Sequence, residues 1–230
     1  MTDQTNHREN APVGLTPATF HAQPGVADWR VTSWGPQACF RSSSLDAAAQ
    51  LLPVVLSAAA EYAVEPDVDL RAEAIVIRIP YRGTERIPAG GARFAGAVAA
   101  EAGRLGLDPA PDLIQTVDIM VAQSGVDTRP FWAAALGYEL AGETDAVDPL
   151  RRGPSLSFME IPSAGRGRTH IDIFVPADHL DARRDAALTA GGRLADDSHA
   201  PMWWTLASPD NHGVDLAGWT DTWDELNPTA

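Results

Sequence analysis

Residues 168–175, R-T-H-I-D-I-F-V, alternate with the period of two that marks a half-buried β-strand. Thr169, Ile171, Ile173 and Val175 share one face, while His170, Asp172 and Phe174 share the other. The first face suits packing; the second suits either a solvated sheet surface or the floor of a pocket. The same logic recurs in two other strands. In Q-T-V-D-I-M-V (115–121), Val117, Ile119 and Val121 oppose Asp118, and in G-V-D-L-A (213–217), Val214 and Leu216 oppose Asp215. Each strand sets a metal-ligand type against an aliphatic stripe that can pack under helices, as an open His/carboxylate facial site requires.

Reading outward from these strands, the second half of the chain predicts a strand at 115–122, a helix at 129–136 and strands near 138–141 and 155–161. The order then recurs: strand 169–175, helix 179–190, strands near 202–206 and 213–217. A strand-helix-strands unit used twice is an internal repeat. Upstream, L-D-P-A-P-D (107–112) places two prolines in six residues and reads as a boundary. Before it, two short strands flank Gly35-Pro36, and a Ser-capped Ala/Leu-rich helix reaches Tyr62 with a kink expected at Pro53. Glu65-Pro66-Asp67 breaks that helix. A strand over 71–80 and a second Ala-rich helix over 91–105 follow. The expected organisation is α+β throughout: a tail at 1–13, an α+β domain at 14–107, a repeat domain at 112–219 and a tail at 220–230.

The 230 residues suffice for two cores, and a formal net charge of -14 argues against nucleic acid or an anionic membrane as partner. The opening residues lack the basic start and apolar core of a signal peptide, which points to a soluble cytoplasmic protein. With a single cysteine, Cys39, the chain has neither an internal disulfide nor a Cys-rich zinc site, and the thiol reads as packed. All 17 basic residues are arginine, so Schiff-base and P-loop lysine chemistry are excluded and no nucleotide cofactor is expected.

Over about 15–106 the chain resembles the pterin-4a-carbinolamine dehydratases. D-W-R-V (28–31), A-A-E-Y (59–62), P-D-V-D-L-R (66–71), I-V-I-R-I (75–79) and F-A-G-A-V-A-A (94–100) carry the resemblance. It implies a dehydratase scaffold without its chemistry. Val64 and Glu65 stand where the family places a His pair, about Arg82 where it places a third His, and about Gly91 where it places an Asp. Proton exchange near neutral pH suits His and is beyond Val, leaving Glu65 as the one replacement base.

Over about 113–219 the chain resembles the vicinal-oxygen-chelate superfamily, the glyoxalase and bleomycin-resistance group. F-W-A-A-A-L-G-Y-E (131–139), T-H-I-D-I-F-V (169–175) and S-P-D-N-H-G-V-D-L (208–216) carry it. The resemblance implies a β-cup of paired βαβββ modules, often with a divalent metal on the inner strands. Carried over by position, the ligands fall on Asp118, His170 and Asp215, with Asn211 and His212 replacing the family's Gly-Asn before the last.

Around this proposed centre, Asp172 is counted with the substrate-binding residues, and it could orient the His170 ring or simply face water. Glu160 could serve as a catalytic base or fourth ligand, although it shares a face with Leu156 and Phe158. Trp203 and Trp204 point to opposite sides of one strand, so one of them is expected to line the cup and touch substrate. Arginines at 151–153 and 166–168 could clamp an anion or remain solvated. Three functions compete: a metal-assisted lyase, isomerase or oxygenase acting on a small oxygen-rich metabolite, a metal-free binding protein for small molecules, and a dehydratase using Glu65. A divalent metal is the expected cofactor under the first, and the chain is expected to be a homo-oligomer, since sheet edges pair between subunits.

Overall fold

Backbone pairing divides the chain between two sheets. The computed structural model describes residues 14–81, 86–125, 127–162, 169–207 and 213–221. In the first half, α1 (Pro17–His21), β1 (Arg30–Thr32) and β2 (Gly35–Arg41) precede α2 (Leu45–Ala49) and α3 (Leu52–Tyr62). Then come β3 (Asp67–Leu70), β4 (Ala74–Arg78), α4 (Gly91–Arg104) and β5 (Asp108–Pro109). The sheet order is β1-β2-β4-β3, with β5 pairing to β2.

The helix expected to bend at Pro53 is instead two helices, and Pro53 sits in the first turn of α3. There its missing N–H costs nothing, because the first helical amides have no intrahelical acceptor. The core between sheet and helices is apolar and tightly closed. Trp29, Phe20, Phe94, Leu51 and Ile77 are fully buried, each worth about 1.5–3 kcal/mol as side chains removed from water. The Trp29 Nε1–H is satisfied by the Ala95 carbonyl at 3.1 Å. Cys39 is packed as expected, against Ala74, Ala110 and Ile114, and burial pushes its thiol up.

The second half contains β6 (Thr116–Gln123), α5 (Arg129–Leu136), β7 (Glu139–Ala141), β8 (Asp145–Val147) and β9 (Ser155–Glu160). It continues with β10 (Thr169–Val175), α6 (Leu180–Thr189), β11 (Arg193–Asp196), β12 (Trp203–Ala207) and β13 (Gly213–Gly218). These are two βαβββ units forming one eight-stranded sheet of order β11-β12-β13-β10-β6-β9-β8-β7. The opening strands β6 and β10 pair antiparallel at the centre, and each closing strand lies parallel beside its own opening strand. Two short strands, β8 and β11, were not apparent in the sequence pattern.

The aliphatic stripes pack under the helices. Val121, Leu156 and Phe158 meet Ala133 of α5, and Val175, Leu206 and Leu216 meet Leu180 at the start of α6. Gly137 ends α5 at φ 70, a left-handed position that glycine adopts without strain. The other side of the sheet, here called the inner face, carries the polar residues.

Polar contacts join the halves. Thr32 and Thr116 share a hydrogen bond of 2.9 Å, and the Gln37 amide donates to both hydroxyls, all three side chains being buried. Arg151 grips Asp67 through Nε at 2.7 Å and Nη2 at 2.5 Å, while Arg30 meets Asp178 at 2.8 Å. Trp219 Nε1 donates to Tyr81 Oη at 2.9 Å. Asp221, in the stretch expected to be a tail, accepts from Thr16 Oγ1 and Ala18 N, both at 2.8 Å. Among the described residues no helix is long and apolar enough to cross a membrane.

Candidate functional site

Strand register decides which side chains converge. Asp172 of β10 lies beside Asp215 of β13 on one flank and Asp118 of β6 on the other. Thr205 and Ser155 extend the row across β12 and β9. Laterally paired residues project to the same face, so three carboxylates on adjacent strands form one line across the inner face. His170, two residues before Asp172, stands on that face in the next row, beside Met120 and Ser157.

The imidazole turns into the carboxylate line. His170 Nε2 lies 3.0 Å from Asp172 Oδ1 and 3.4 Å from Asp215 Oδ2. One donor atom each from His170, Asp172 and Asp215 falls within 4.8 Å of the other two. Asp172 Oδ1 and Asp215 Oδ1 are both shut off from solvent; the first is in ion-pair contact with His170 Nε2, and the second accepts no hydrogen bond from the described residues. Buried carboxylate oxygens without donors are costly, and a cation is one way to satisfy them.

Asp118, expected as a ligand, stands one strand away with other partners. Its Oδ2 accepts from Ser157 Oγ at 2.7 Å and its Oδ1 from the Ile119 amide at 3.1 Å. Asp172, expected to orient the ring, face water or contact substrate, supplies the third donor of the cluster. Ser157 also serves Asp145, whose carboxyl is pushed up by burial and by the neighbouring Asp118 charge. The sequence reading missed Asp145 and Ser157, because Asp145 sits on a three-residue strand too short to display alternation.

Charge in this group is tightly coupled. Contacts with Asp172 and Asp215 push the His170 imidazole up to about 10, against the opposing effect of burial. Burial pushes Asp172 up, partly offset by His170. The cation-free cluster is therefore an imidazolium held between carboxylates.

Two expected site residues lie elsewhere. Glu160 follows Leu156 and Phe158 to the helix side, where it accepts from Gln123 Nε2 at 2.7 Å and the Gly125 amide at 3.2 Å. It braces the end of β6 and is not on the inner face, since residues four apart on a strand share a face with the apolar stripe. Trp204 packs with Leu206 against α6, with the Arg184 guanidinium 4.6 Å above its ring. Trp203, by alternation, is the inner-face indole; it lies opposite Ala217 and stacks on His199 at 4.0 Å. Arg151 and Arg152 are engaged by Asp67 and Asp148, away from the carboxylate row. His212, Asn211, Arg166 and Arg168 lie outside the described residues.

A large cavity lies away from this cluster. It measures about 1030 Å³ and is lined by Val64, Glu65, Asp67, Tyr81 and Pro88 of the first half and Arg151 of the second. No histidine lines it among the described residues, and Arg82 is outside them. This volume and the histidine–carboxylate cluster are thus separate in the molecule, and the cluster is the better guide to the site.

Residues 116–217 match the family described as Glyoxalase-like domain, from the first residue of β6 to the penultimate residue of β13. That match spans both βαβββ units of the second half. A solved structure of a glyoxalase/bleomycin resistance protein/dioxygenase superfamily member from Vibrio splendidus 12B01 aligns over 46% of this chain and 100% of its own, at 14% identity and a TM-score of 0.33. No curated protein matches the chain.

Proposed function

We propose that the glyoxalase-like half is a metal-assisted enzyme of the lyase, isomerase or oxygenase type, acting on a small oxygen-rich metabolite at the inner face. The observation that carries this reading is the His170–Asp172–Asp215 cluster, with donors within 4.8 Å of one another. One of its carboxylate oxygens, Asp215 Oδ1, is buried without a hydrogen-bond donor among the described residues. One imidazole and two carboxylates form a donor set suited to a divalent first-row ion or Mg²⁺, and three ligands leave positions for substrate oxygens. When bound, such an ion supplies a Lewis acid that polarises a carbonyl or hydroxyl oxygen.

The chain's own residues do the rest. His170, Asp172 and Asp215 would hold the ion. Ser157 donates to Asp118 Oδ2 and lies against Asp145, so a proton on the Asp145 carboxyl has a hydroxyl link towards Asp118. Trp203 offers an apolar wall. In this reading Glu65 is a solvated carboxylate and the first half is a scaffold of dehydratase-like type, with Val64 in the place of a proton-exchanging His.

Elemental analysis and equilibrium dialysis of chain purified without chelator test the proposal. It expects one divalent ion per chain, and a chain that neither retains nor rebinds one overturns it. A metal-free binding protein is the second reading, favoured by the proton that His170 holds up to about 10, because the imidazolium itself closes the cluster. Tight binding of an unaltered small molecule to the metal-free chain would favour that reading.

A further inference from the structure

We propose that the chain has a second small-molecule site, between its halves, which takes a neutral planar aromatic compound of one or two rings with an N–H or O–H on one edge. The inference is independent of the metal reading above, because none of its residues belongs to the inner-face cluster.

Two polar clamps frame the site. Asp221 accepts from Thr16 Oγ1 and from Ala18 N at the start of α1, both at 2.8 Å, and Asp178 accepts from Arg30 of β1 through Nε at 3.0 Å and Nη2 at 2.8 Å. Between these clamps lies a cavity of about 320 Å³. Its apolar surface comes from Pro17 and Val31, both buried, and from Ala18, Ala177 and the Trp219 ring. Pockets for small molecules typically hold roughly 300–1,000 Å³ and favour the junction of two packed units. This one is at the small end of that range, which suits one or two fused rings.

The polar groups select the guest. Each charged side chain in the wall already has its hydrogen bonds: besides holding Asp178, Arg30 donates from Nη1 to the Ala27 and Trp29 carbonyls at 2.7 and 2.9 Å. An ionic guest therefore meets no open counter-charge to offset its desolvation. The Trp219 Nε1–H is committed to Tyr81, so this residue contributes ring surface to the wall. His21 is different. It is the last residue of α1, its ring meets that of Phe20 edge to face at 5.6 Å, and it makes no hydrogen bond among the described residues. Loss of solvent, then the nearby Arg30 guanidinium, hold its pKa below the ordinary histidine value. Near neutral pH the imidazole is therefore uncharged, with one nitrogen as an acceptor. A guest that presents an N–H or O–H to this nitrogen and its ring plane to the apolar wall satisfies both halves of the pocket.

The test titrates the full chain with indole, which carries a ring N–H, and with benzofuran, a near-isostere with oxygen in its place. Isothermal titration of wild type should show one site that binds indole about five- to tenfold more tightly, the worth of one hydrogen bond. His21→Phe keeps a ring and removes the acceptor, so it should bind the two probes alike. Ala18→Trp fills the cavity from an exposed position of α1 and should bind neither, with the melting temperature of wild type. Absence of indole binding in wild type, equal affinity for the two probes, or indole binding that survives Ala18→Trp overturns the site. If Ala18→Trp fails to fold, His21→Phe decides: loss of the preference for indole supports the site, and its survival overturns it.

Discussion

The two halves of this chain are opposites. The first borders a cavity of about 1030 Å³ lined by Val64, Glu65, Asp67 and Tyr81 but, among the described residues, by no histidine. The second gathers a histidine and three aspartates in adjoining rows of one sheet face, away from that cavity. Space without a histidine lacks the side chain best suited to exchanging protons near neutral pH. Convergent ligands on adjacent strands can act on a guest bound against them. A large cavity is thus a poorer guide to function here than register.

The contrast breaks most readily at the cluster. His170→Ala and Asp215→Asn should each weaken Mn²⁺ binding by roughly 100-fold or more, since each removes one of three ligands, as isothermal titration would show. Retention of wild-type affinity in both would return the second half to the status of a polar surface. The next largest effect is on pH dependence in the metal-free chain. His170 is raised from 6.5 to about 10 in the folded state, so the folded chain holds its proton more tightly than the unfolded one. The resulting stability is complete below about pH 6.5 and is lost as pH climbs towards about 10. Urea midpoints should fall across that window in wild type and stay flatter in His170→Asn.

Smaller effects sharpen the role of the first half. Arg151→Ala removes the bidentate pair with Asp67, both side chains being about three-quarters buried. Arg78 remains 3.5 Å from Asp67 as a substitute partner. The expected loss is about 1–2 kcal/mol, read as a drop of a few degrees in melting temperature. Glu160→Gln should leave Mn²⁺ affinity unchanged, because that carboxylate braces Gln123 on the opposite face. Glu65→Gln should have the least effect of all. Dehydration of the pterin carbinolamine should run no faster with either form than in buffer, and acceleration that depends on Glu65 would reverse the assignment of roles between the halves.

Long alternating strands made much of the second half legible. Thr169–Val175, Thr116–Gln123 and Gly213–Gly218 each showed a His or Asp against an aliphatic stripe, and β6, β10 and β13 are neighbours in the sheet. Alternation alone does not say which carboxylate on a strand reaches its neighbour's imidazole. Asp172 and Asp118 face each other across the β6–β10 pair, and it is Ser157, on a third strand, that engages Asp118. Asp145 was hidden by the brevity of β8. For Trp203 and Trp204 the period of two separated the pair but could not choose between them; packing of Trp204 under α6 does. The division of one expected helix at Pro53 reflects a local rule, proline in a first turn, that outweighed the continuous apolar run.

Co²⁺ titrated into the chelator-stripped full chain, followed by proton NMR of its histidines, tests the central claim most directly. The account predicts saturation at one Co²⁺ per chain with paramagnetically shifted ring protons on His170. Saturation that leaves His170 unshifted, or the absence of stoichiometric binding, would contradict it.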